Sequence, residues 1–473
     1  DLISELGRVK ALDVVSRNGV ASFRGVDARP DSVAGVLGVG TVVDGSVERV
    51  GDRLRVEVRL IDGTSGAEFR RTSFERAAAD PLRIRAELVD ATSRFLREWI
   101  GDEVRLRGLA DDTRSPAAWA FVQRAEKSRK EAEALLTRGD LAGTDRAFGA
   151  ADTLLARAET LDPDWVRPVV LRGTVAYQRS RAADEPVEAV RWIRVGMEHA
   201  ERALGRSPRD ARALELRGTL RYWHYLLHAT PDPAAQASLL AHARADLERA
   251  VETDPSLASA HGTLSHLYYQ VDDIASVVLA ARRAYEEDAY LDVADQVLWR
   301  LFTGSYDLEQ FTQAERWCGE GARRFPGDFR FAECQLLVMT TPAVQPDAER
   351  AWGLVSRLAA LTPEPRRAHE LTRGRMLVAG VLGRVGMVDS ARAVLLRAHG
   401  EAGYAGDPAR ELLLLEAHVR TTLGDEDAAI DVLKQYAAVT PDHGFDHYWW
   451  WHPLRANPRF RELSKQGGAG ADH

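Results

Sequence analysis

The sequence predicts a mainly α-helical chain in which about eight helical hairpins stack as an α-solenoid behind a small N-terminal α/β domain. Three observations predict this fold class. Ala, Leu, Arg and Glu dominate the 473 residues and favour helices. Apolar residues recur at helical spacing from about residue 115 to 440, and short marker sequences repeat there. We expect the domain over 1–107, a linker over 108–115, the solenoid over 116–442, and a cap with a glycine-rich tail over 443–473.

The N-terminal domain is predicted from turn signals and from alternation along its strands. Leu54 to Ile61 alternates apolar with charged residues, so this strand should bury one face. Gly51-Asp52 lies between two such runs and is typical of a hairpin turn. The expected elements, in order, are a helix over 2–12, a strand over 12–16, a helix over 30–37, strands over 41–49, 54–61 and 68–74, and a helix over 82–100.

Roughly residues 1–105 resemble the TolB N-terminal-like domain. The resemblance is carried by Leu37-Gly-Val-Gly-Thr-Val-Val-Asp-Gly-Ser-Val-Glu-Arg-Val-Gly-Asp-Arg-Leu-Arg-Val-Glu-Val-Arg-Leu-Ile-Asp62, by Val14 to Val20 and by Phe23-Arg-Gly. It implies an α/β fold that in bacterial proteins often precedes tetratricopeptide repeats and follows a Ser/Thr kinase or DNA-binding regulator plus a membrane segment. Family members usually open with an apolar strand that this chain lacks. Either this sequence starts after that strand, or another strand fills its place in the sheet.

Internal repeats are the strongest signal in the sequence. Leu171-Arg-Gly-Thr174 recurs as Leu216-Arg-Gly-Thr219, and Arg373-Gly374 repeats its centre. Prolines should end the second helix of each hairpin, while alanines before them let paired helices approach closely. The alanine–proline pairs are Ala158 with Pro163, Ala203 with Pro208, and Ala250 with Pro255.

Residues 254–273 resemble a tetratricopeptide repeat, with Leu264, Ser265 and Tyr268 where that pattern has Leu, a small residue and Tyr. The closing repeat, marked by Gly424 and Ala429, is similar. The resemblance implies that first helices line an inner wall that binds peptides or proteins. Its candidate binding residues are Glu215, Thr219, Tyr222, Trp223, Ser259, His266, Tyr269 and Gln270. The alternative, left open, is that Trp223 and Tyr269 only pack between repeats.

The spacing of residues predicts neither catalysis nor a cofactor nor a metal. His224 and His228 lie four apart on one expected helix, but no HExxH accompanies them, so packed histidines are favoured over zinc. Glycines between 38 and 45 form incomplete nucleotide-binding motifs. The segment 441–453 carries three histidines and three tryptophans. For it we favour a cap over the open end of the repeats to a metal or carbohydrate site.

Charge and cysteine content restrict the partners. The formal net charge of −8 disfavours nucleic acid as a partner. The sequence contains no run of 18 apolar residues, so no membrane span is predicted. Cys318 and Cys334 form no metal motif, and we favour buried free thiols over a disulfide between them. The chain begins with Asp1, so we expect an upstream segment.

Two functions are compatible with these features. The first is a non-enzymatic scaffold that binds a protein or peptide, as the sensory or interaction region of a bacterial regulatory or envelope protein. The alternative is a self-assembling filament subunit whose contacts are the open N-terminal sheet and the solenoid ends or C-terminal tail. The resemblance implies an extracytoplasmic location, with the cytoplasm left open.

Overall fold

The structure is a computed structural model. It describes residues 15, 19–20, 23, 29–51, 53–63, 66–77, 113, 115–288, 291, 293–407, 410–440, 444–445 and 448–467. The expected helices over 2–12 and 82–100 and the strand over 12–16 lie outside these residues, apart from Val15. Most of the linker and the tail beyond Gly467 also lie outside them.

The N-terminal region contains a short helix and an antiparallel meander. Helix α1 (Pro30–Leu37) precedes strands β1 (Thr41–Val50), β2 (Arg53–Asp62) and β3 (Glu68–Ala77), whose order in the sheet is β1-β2-β3. The three strands agree with the expected ones to within three residues at each end. The alternation in β2 buries Val58 and Leu60, as predicted, and a register irregularity at Leu60/Ile61 also buries Ile61.

Gly38 ends α1 because the chain turns there with a positive φ. At φ 66° Gly38 adopts the left-handed conformation that glycine accepts without steric cost. The turn lets the Val39 amide donate to the Ala34 carbonyl at 3.1 Å. Gly63 lies against this turn, where a β-carbon would come within 2.6 Å of the Val39 oxygen.

From residue 115 onward, the described part of the chain is mainly helical. The helices are α2 (Pro116–Thr137), α3 (Leu141–Leu161), α4 (Arg167–Ala182), α5 (Pro186–Arg206), α6 (Ala211–Leu226), α7 (Pro233–Thr253), α8 (Ala258–Gln270), α9 (Ile274–Glu287), α10 (Ala294–Asp307), α11 (Phe311–Arg324), α12 (Arg330–Thr340), α13 (Ala348–Leu361), α14 (Glu364–Arg384), α15 (Val388–His399), α16 (Ala402–Ala405), α17 (Glu411–Thr422), α18 (Glu426–Ala437) and α19 (Pro458–Gly467), with a 3-10 helix (Trp449–Ala456) before α19.

Consecutive helices pair as hairpins, and first helices also pack on first helices. Helix α2 packs on α3, α4 on α5 and α6 on α7, while α4 also contacts α2 and α6. The alanines expected at close approaches, Ala158, Ala203 and Ala250, are fully buried, and their helices end before the marker prolines. The predicted mainly α fold of the tetratricopeptide type is therefore confirmed, with eight hairpins in the described part of the chain.

The repeated Leu-Arg-Gly sequence has a glycine where two helices touch. A β-carbon on Gly218 would lie 2.7 Å from Leu247 Cγ and 3.0 Å from the Ala243 oxygen. A β-carbon on Gly374 would lie 2.9 Å from Leu358 Cδ2. The glycines are thus needed for the distance between helices, since interiors are packed too densely to absorb an added carbon.

The arginine of the same sequence joins neighbouring helices through ion pairs. On α6, Arg217 pairs with Asp246 of α7 at 2.7 Å and with Glu201 of α5 at 3.1 Å. On α4, Arg172 pairs with two carboxylates of α3, those of Asp152 at 2.7 Å and Glu159 at 3.1 Å. The repeat therefore encodes contacts between hairpins as well as contacts within them.

The C-terminal segment packs on the last hairpin. Trp451, Leu454 and Phe460 are buried in one cluster with residues of α17 and α18. Trp449 and Trp450 are partly buried and lie around His418, whose ring stacks on Trp450 at 4.4 Å between centroids. The described tryptophans are thus engaged in packing, while His443 and His447 lie outside the described residues.

Cys318 and Cys334 form a disulfide, so the prediction of free thiols is wrong. Both side chains are buried, as expected. Helices α11 and α12 bring their Cα atoms to 5.8 Å, within the range that a disulfide requires. The cross-link closes a loop between residues that are 16 apart in sequence.

The chain divides into two compact units, with the main boundary inside α8 after Leu267. The first unit contains the sheet and helices α2 to α7, together with the start of α8 and residues Arg283–Ala294. The second contains residues Tyr268–Arg282 and the chain from Asp295. Among the described residues, no helix combines the length and apolar character needed to cross a membrane.

Candidate functional site

The predicted wall residues of the first unit lie on α6 and α8. Glu215, Thr219 and Trp223 follow one another at four-residue spacing on α6, which places them on one face. The Glu215 carboxylate accepts a hydrogen bond from the Ser259 hydroxyl on α8. Burial raises the pKa of Glu215, and the bond from Ser259 opposes that rise. Glu215 and Ser259 therefore join two first helices, and Thr219 is partly buried.

The aromatic residues of this face are mostly engaged within the fold. Tyr222 is only 4% exposed and meets His266 edge-to-face at 5.5 Å. Trp223 is partly buried, and the Arg181 guanidinium lies 4.3 Å from its ring centroid. Tyr222 thus packs between hairpins. Trp223, one of the two rings for which packing was the alternative, keeps part of its surface in solvent.

Tyr269 and Gln270, the wall residues of the second unit, are different because both are exposed. The Tyr269 side chain is 50% exposed. Its hydroxyl has no hydrogen-bond partner among the described residues. Tyr269 therefore remains a predicted partner-binding residue, and half of its side chain is not covered by packing between repeats.

Three residues that the sequence analysis did not select lie within electrostatic range of Tyr269. The charges of Asp307 and Asp272 act on Tyr269 and on Tyr448, which is 42% exposed. Burial and these charges raise the pKa of Tyr448 to about 12. We call Tyr269, Asp272, Asp307 and Tyr448 the tyrosine–aspartate surface; all four belong to the second unit.

Asp307 is the most perturbed carboxylate of this surface. Burial, followed by the charge of Asp272, raises the pKa of Asp307 to about 7. Within the described part of the chain, neither aspartate forms a side-chain hydrogen bond or an ion pair. Asp307 is nevertheless only partly buried. It is therefore partly surrounded by protein but not sealed from solvent.

Arg373 brings one positive charge near this surface, but carboxylates already compensate it. Arg373 pairs with Glu333 at 2.5 Å and with Glu411 at 3.4 Å. Glu411 also acts electrostatically on Tyr269. Asp272 and Asp307 are thus additional negative charges, and the local balance is acidic.

The geometry of two hairpin turns relates Asp307 to a wall residue that the repeat pattern predicts. The turns after α8 and α10 both contain a non-glycine residue of positive φ, Asp272 at 56° and Glu309 at 57°. Aligning the chain on these two residues places Asp307 at the position of Gln270. Gln270 was selected because it fell in the best-matching repeat, and its equivalent was not.

A separate cavity of about 330 Å³ in the second unit is lined by second helices and by Arg375 of the first helix α14. Its lining residues are Trp352, Arg375, Val394, Arg397 and Glu401. The Arg375–Glu401 ion pair, at 2.5 Å, crosses it. Trp352, on the second helix α13, is 40% exposed. This ring is about as exposed as Tyr269 but lies on a second helix instead of a first helix.

The described residues contain no group of three or more His, Cys, Asp or Glu side chains arranged to hold a metal. His224 lies in α6, but His228 follows the end of that helix with a φ of 49°. The two histidines therefore do not share a helical face, and the spacing on which the zinc alternative rested is absent.

Comparison with known proteins gives partial matches. No protein-family model matches the chain, so the TolB-like resemblance stays a prediction. The inferred adenylate cyclase 3 of Rhizobium meliloti is 30% identical over 139 residues, which are 28% of this chain and 23% of the cyclase. The chain thus matches less than a quarter of that protein.

Three solved structures of helical-repeat type are similar over part of the chain. A thermophilic TPR protein of Thermus thermophilus is 14% identical, with a TM-score of 0.33 over 45% of this chain and 99% of its own. PilF of Pseudomonas aeruginosa is 13% identical, with a TM-score of 0.36 over 52% of this chain and 95% of its own. A tetratricopeptide repeat protein of Parabacteroides merdae is 15% identical, with a TM-score of 0.32 over 62% of this chain and 99% of its own.

Proposed function

We propose that this chain is a non-catalytic scaffold that binds partner proteins through the first-helix faces of its hairpins. In this proposal it is the sensory or interaction region of a bacterial regulatory or envelope protein. One observation carries the proposal: the half-exposed Tyr269 ring, whose hydroxyl has no hydrogen-bond partner among the described residues, lies beside exposed Gln270 on a first helix. Exposed tyrosines are typical of binding hot spots, because they combine a large apolar surface with a polar end.

Site-specific photo-crosslinking in the cells that produce the protein tests this proposal. A photoreactive phenylalanine analogue would replace Tyr269 in one variant and Trp352 in the control. We expect a discrete cross-linked protein from position 269 and none from 352, since both rings are similarly exposed but only one lies on a first helix. Equal cross-linking at both positions, or none at 269, would contradict the proposal.

The proposal includes the absence of turnover. The cyclase match does not carry that protein's activity to this chain, because it spans only 23% of the cyclase. Incubation of the purified chain with ATP and Mg²⁺ or Mn²⁺ should yield no cyclic AMP above the buffer control. Cyclic AMP that increases in proportion to protein concentration would show that this part of the proposal is wrong.

We further propose an extracytoplasmic location. The disulfide between Cys318 and Cys334 supports it, because such cross-links persist in oxidising compartments and are rare in the bacterial cytoplasm. The location also agrees with the one implied by the TolB-like resemblance.

Self-assembly is a second candidate function, favoured by one observation on the N-terminal sheet. β1 is an edge strand of the described sheet, and its Val47 side chain is 66% exposed. Val36 on α1 is also exposed, at 74%. Replacing Val47 by lysine should abolish concentration-dependent assembly, as measured by sedimentation velocity. A wild-type chain that stays monomeric at high concentration would remove this candidate.

A further inference from the structure

We infer that the tyrosine–aspartate surface of the second unit binds a basic, extended segment of a partner protein, with an arginine or lysine side chain beside Asp307. The inference rests on the proposed function, because it assigns the partner chemistry to one part of the same first-helix face. It follows from the charge, the burial and the aromatic surroundings of these residues.

The charge of the surface is uncompensated among the described residues, in contrast to two other buried carboxylates of this chain. Asp246 receives both Arg217 and Arg221, and Glu333 receives Arg373. In the described residues, Asp272 and Asp307 receive no cation, although the chain has 63 lysines and arginines. A cation from outside the chain would complete the pattern followed by these other carboxylates.

The burial of Asp307 strengthens its electrostatic attraction for such a cation. A carboxylate crowded by protein lies in a lower effective dielectric than one on an open surface, so its attraction for a cation is stronger. Leaving such a charge unpaired costs free energy, and pairing it with a cation reduces that cost. Since Asp307 keeps partial access to solvent, an arriving side chain can reach the carboxylate without opening the fold.

The tyrosines add a second attraction for the same group. Tyr269 and Tyr448 are 50% and 42% exposed, and their hydroxyls are unpartnered among the described residues. Aromatic faces attract guanidinium and ammonium groups. The chain uses this contact internally, where Arg181 lies over Trp223 at 4.3 Å.

A peptide segment is the occupant that the neighbouring groups favour. Gln270 is exposed beside Tyr269 and offers an amide that can both donate to and accept from an extended backbone. The compensated charge of Arg373 leaves the balance negative, so an acidic partner would be repelled.

Fluorescence anisotropy with the full chain tests the inference. The probe is a labelled glycine–serine peptide that carries arginine at alternate positions, and a peptide with glutamate at the same positions is the charge control. We expect Asp307→Asn and Asp272→Asn each to weaken binding of the arginine peptide about fivefold to tenfold. Asp389→Asn, an exposed aspartate on second helix α15 of the same unit, should leave it unchanged.

The affinity for the arginine peptide should also fall as salt is raised, because part of the attraction is electrostatic. Wild-type affinity in the double variant Asp272→Asn/Asp307→Asn, with its helical content intact by circular dichroism, would overturn the inference. Equal binding of the glutamate peptide, or spermidine binding as tightly as the arginine peptide, would overturn it too. If cross-linking at position 269 still captures a partner after such a result, the scaffold proposal stands and only the basic partner is excluded.

Discussion

Folding disfavours ionisation of the Asp307 side chain. Its pKa is raised from 3.8 to about 7, so the folded state holds the proton more tightly than the unfolded chain. Stability is therefore lost as pH rises from about 4 to 7, and the full cost is present above pH 7. Asp272 adds to this cost, and Tyr269, Tyr306 and Tyr448 face the same charge.

We predict that Asp307→Asn stabilises the protein at about pH 8 and much less at about pH 4, because asparagine has no charge to bury. The measurement is the midpoint of thermal unfolding at both pH values. Asp389→Asn is the control and should shift neither midpoint. If Asp307→Asn lowered the midpoint at pH 8, the carboxylate would be paired rather than uncompensated.

The candidate surface could be predicted only in part at the level of residues. Tyr269 and Gln270 followed from the repeat pattern, because a tetratricopeptide motif fixes which side of a first helix faces inward. Asp307 required a second comparison, between the turns at Asp272 and Glu309. Tyr448 could not be predicted, since it comes from a segment that follows the repeats and has no periodicity to place it.

At the level of elements, the helix contact at Gly218 is a test of why the repeat contains glycine. We predict that Gly218→Ala destabilises the first unit by about 1–2 kcal/mol, because overpacking against Leu247 exceeds the gain in helix propensity. Gly205→Ala is the control, since a β-carbon there meets nothing within 4 Å. It should stabilise α5 by about 0.5 kcal/mol or more. Urea unfolding measures the change in the free energy of unfolding for both variants. Equal changes would show that Gly218 is not needed for close packing of the helices.

The hairpin turns give a second prediction at this level. Gly386 and Gly424 have φ of 82° and 78° at the turns after α14 and α17, whereas Glu309 holds φ 57° after α10. Glu309→Gly should therefore stabilise the protein by about 0.5–1 kcal/mol, because glycine accepts this conformation without strain. The reciprocal change, Gly386→Glu, should destabilise it by a similar amount. Thermal unfolding of the two variants should thus shift in opposite directions, and shifts of the same sign would refute the explanation.

The sequence indicated most helix ends for a physical reason. Proline disfavours the helical conformation of the residue before it, and glycine accepts the positive φ of the turn that follows a helix. It could not indicate that Cys318 meets Cys334. That contact depends on how α11 is rotated against α12, and rotation is set by the packing of neighbouring helices rather than by local pattern. The same limit applies to Tyr222, whose burial depends on His266 of another hairpin.

For the whole molecule, the disulfide links stability to location. A cross-link between residues 16 apart should contribute about 3 kcal/mol by restricting the unfolded chain. We predict that Cys318→Ser/Cys334→Ser lowers the thermal midpoint, and that reductant lowers the midpoint of the wild type but not of the double variant. Alkylation under denaturing conditions at the moment of cell lysis should leave both cysteines unmodified. Quantitative alkylation under denaturing conditions would contradict the extracytoplasmic proposal.

The fold class of the whole molecule was predictable because one short pattern recurs many times, so each repeat corroborates the others. The N-terminal resemblance rested on a single block, and no family model matches it. The division into two units within α8 had no sequence signal, since Leu267 and Tyr268 lie inside an uninterrupted helical pattern.

The ion pairs made by the repeated arginines also limit how this protein can be shortened, lengthened or recombined. Glu159 of α3 accepts Arg172 from α4 and Arg206 from α5. Excising or transplanting one hairpin would therefore leave a donor in one module and its acceptor in another. A viable duplication must copy the arginine donors and their glutamate acceptor together. Chimeras cut between α3 and α4 should therefore express worse than chimeras that keep Glu159 with its arginines.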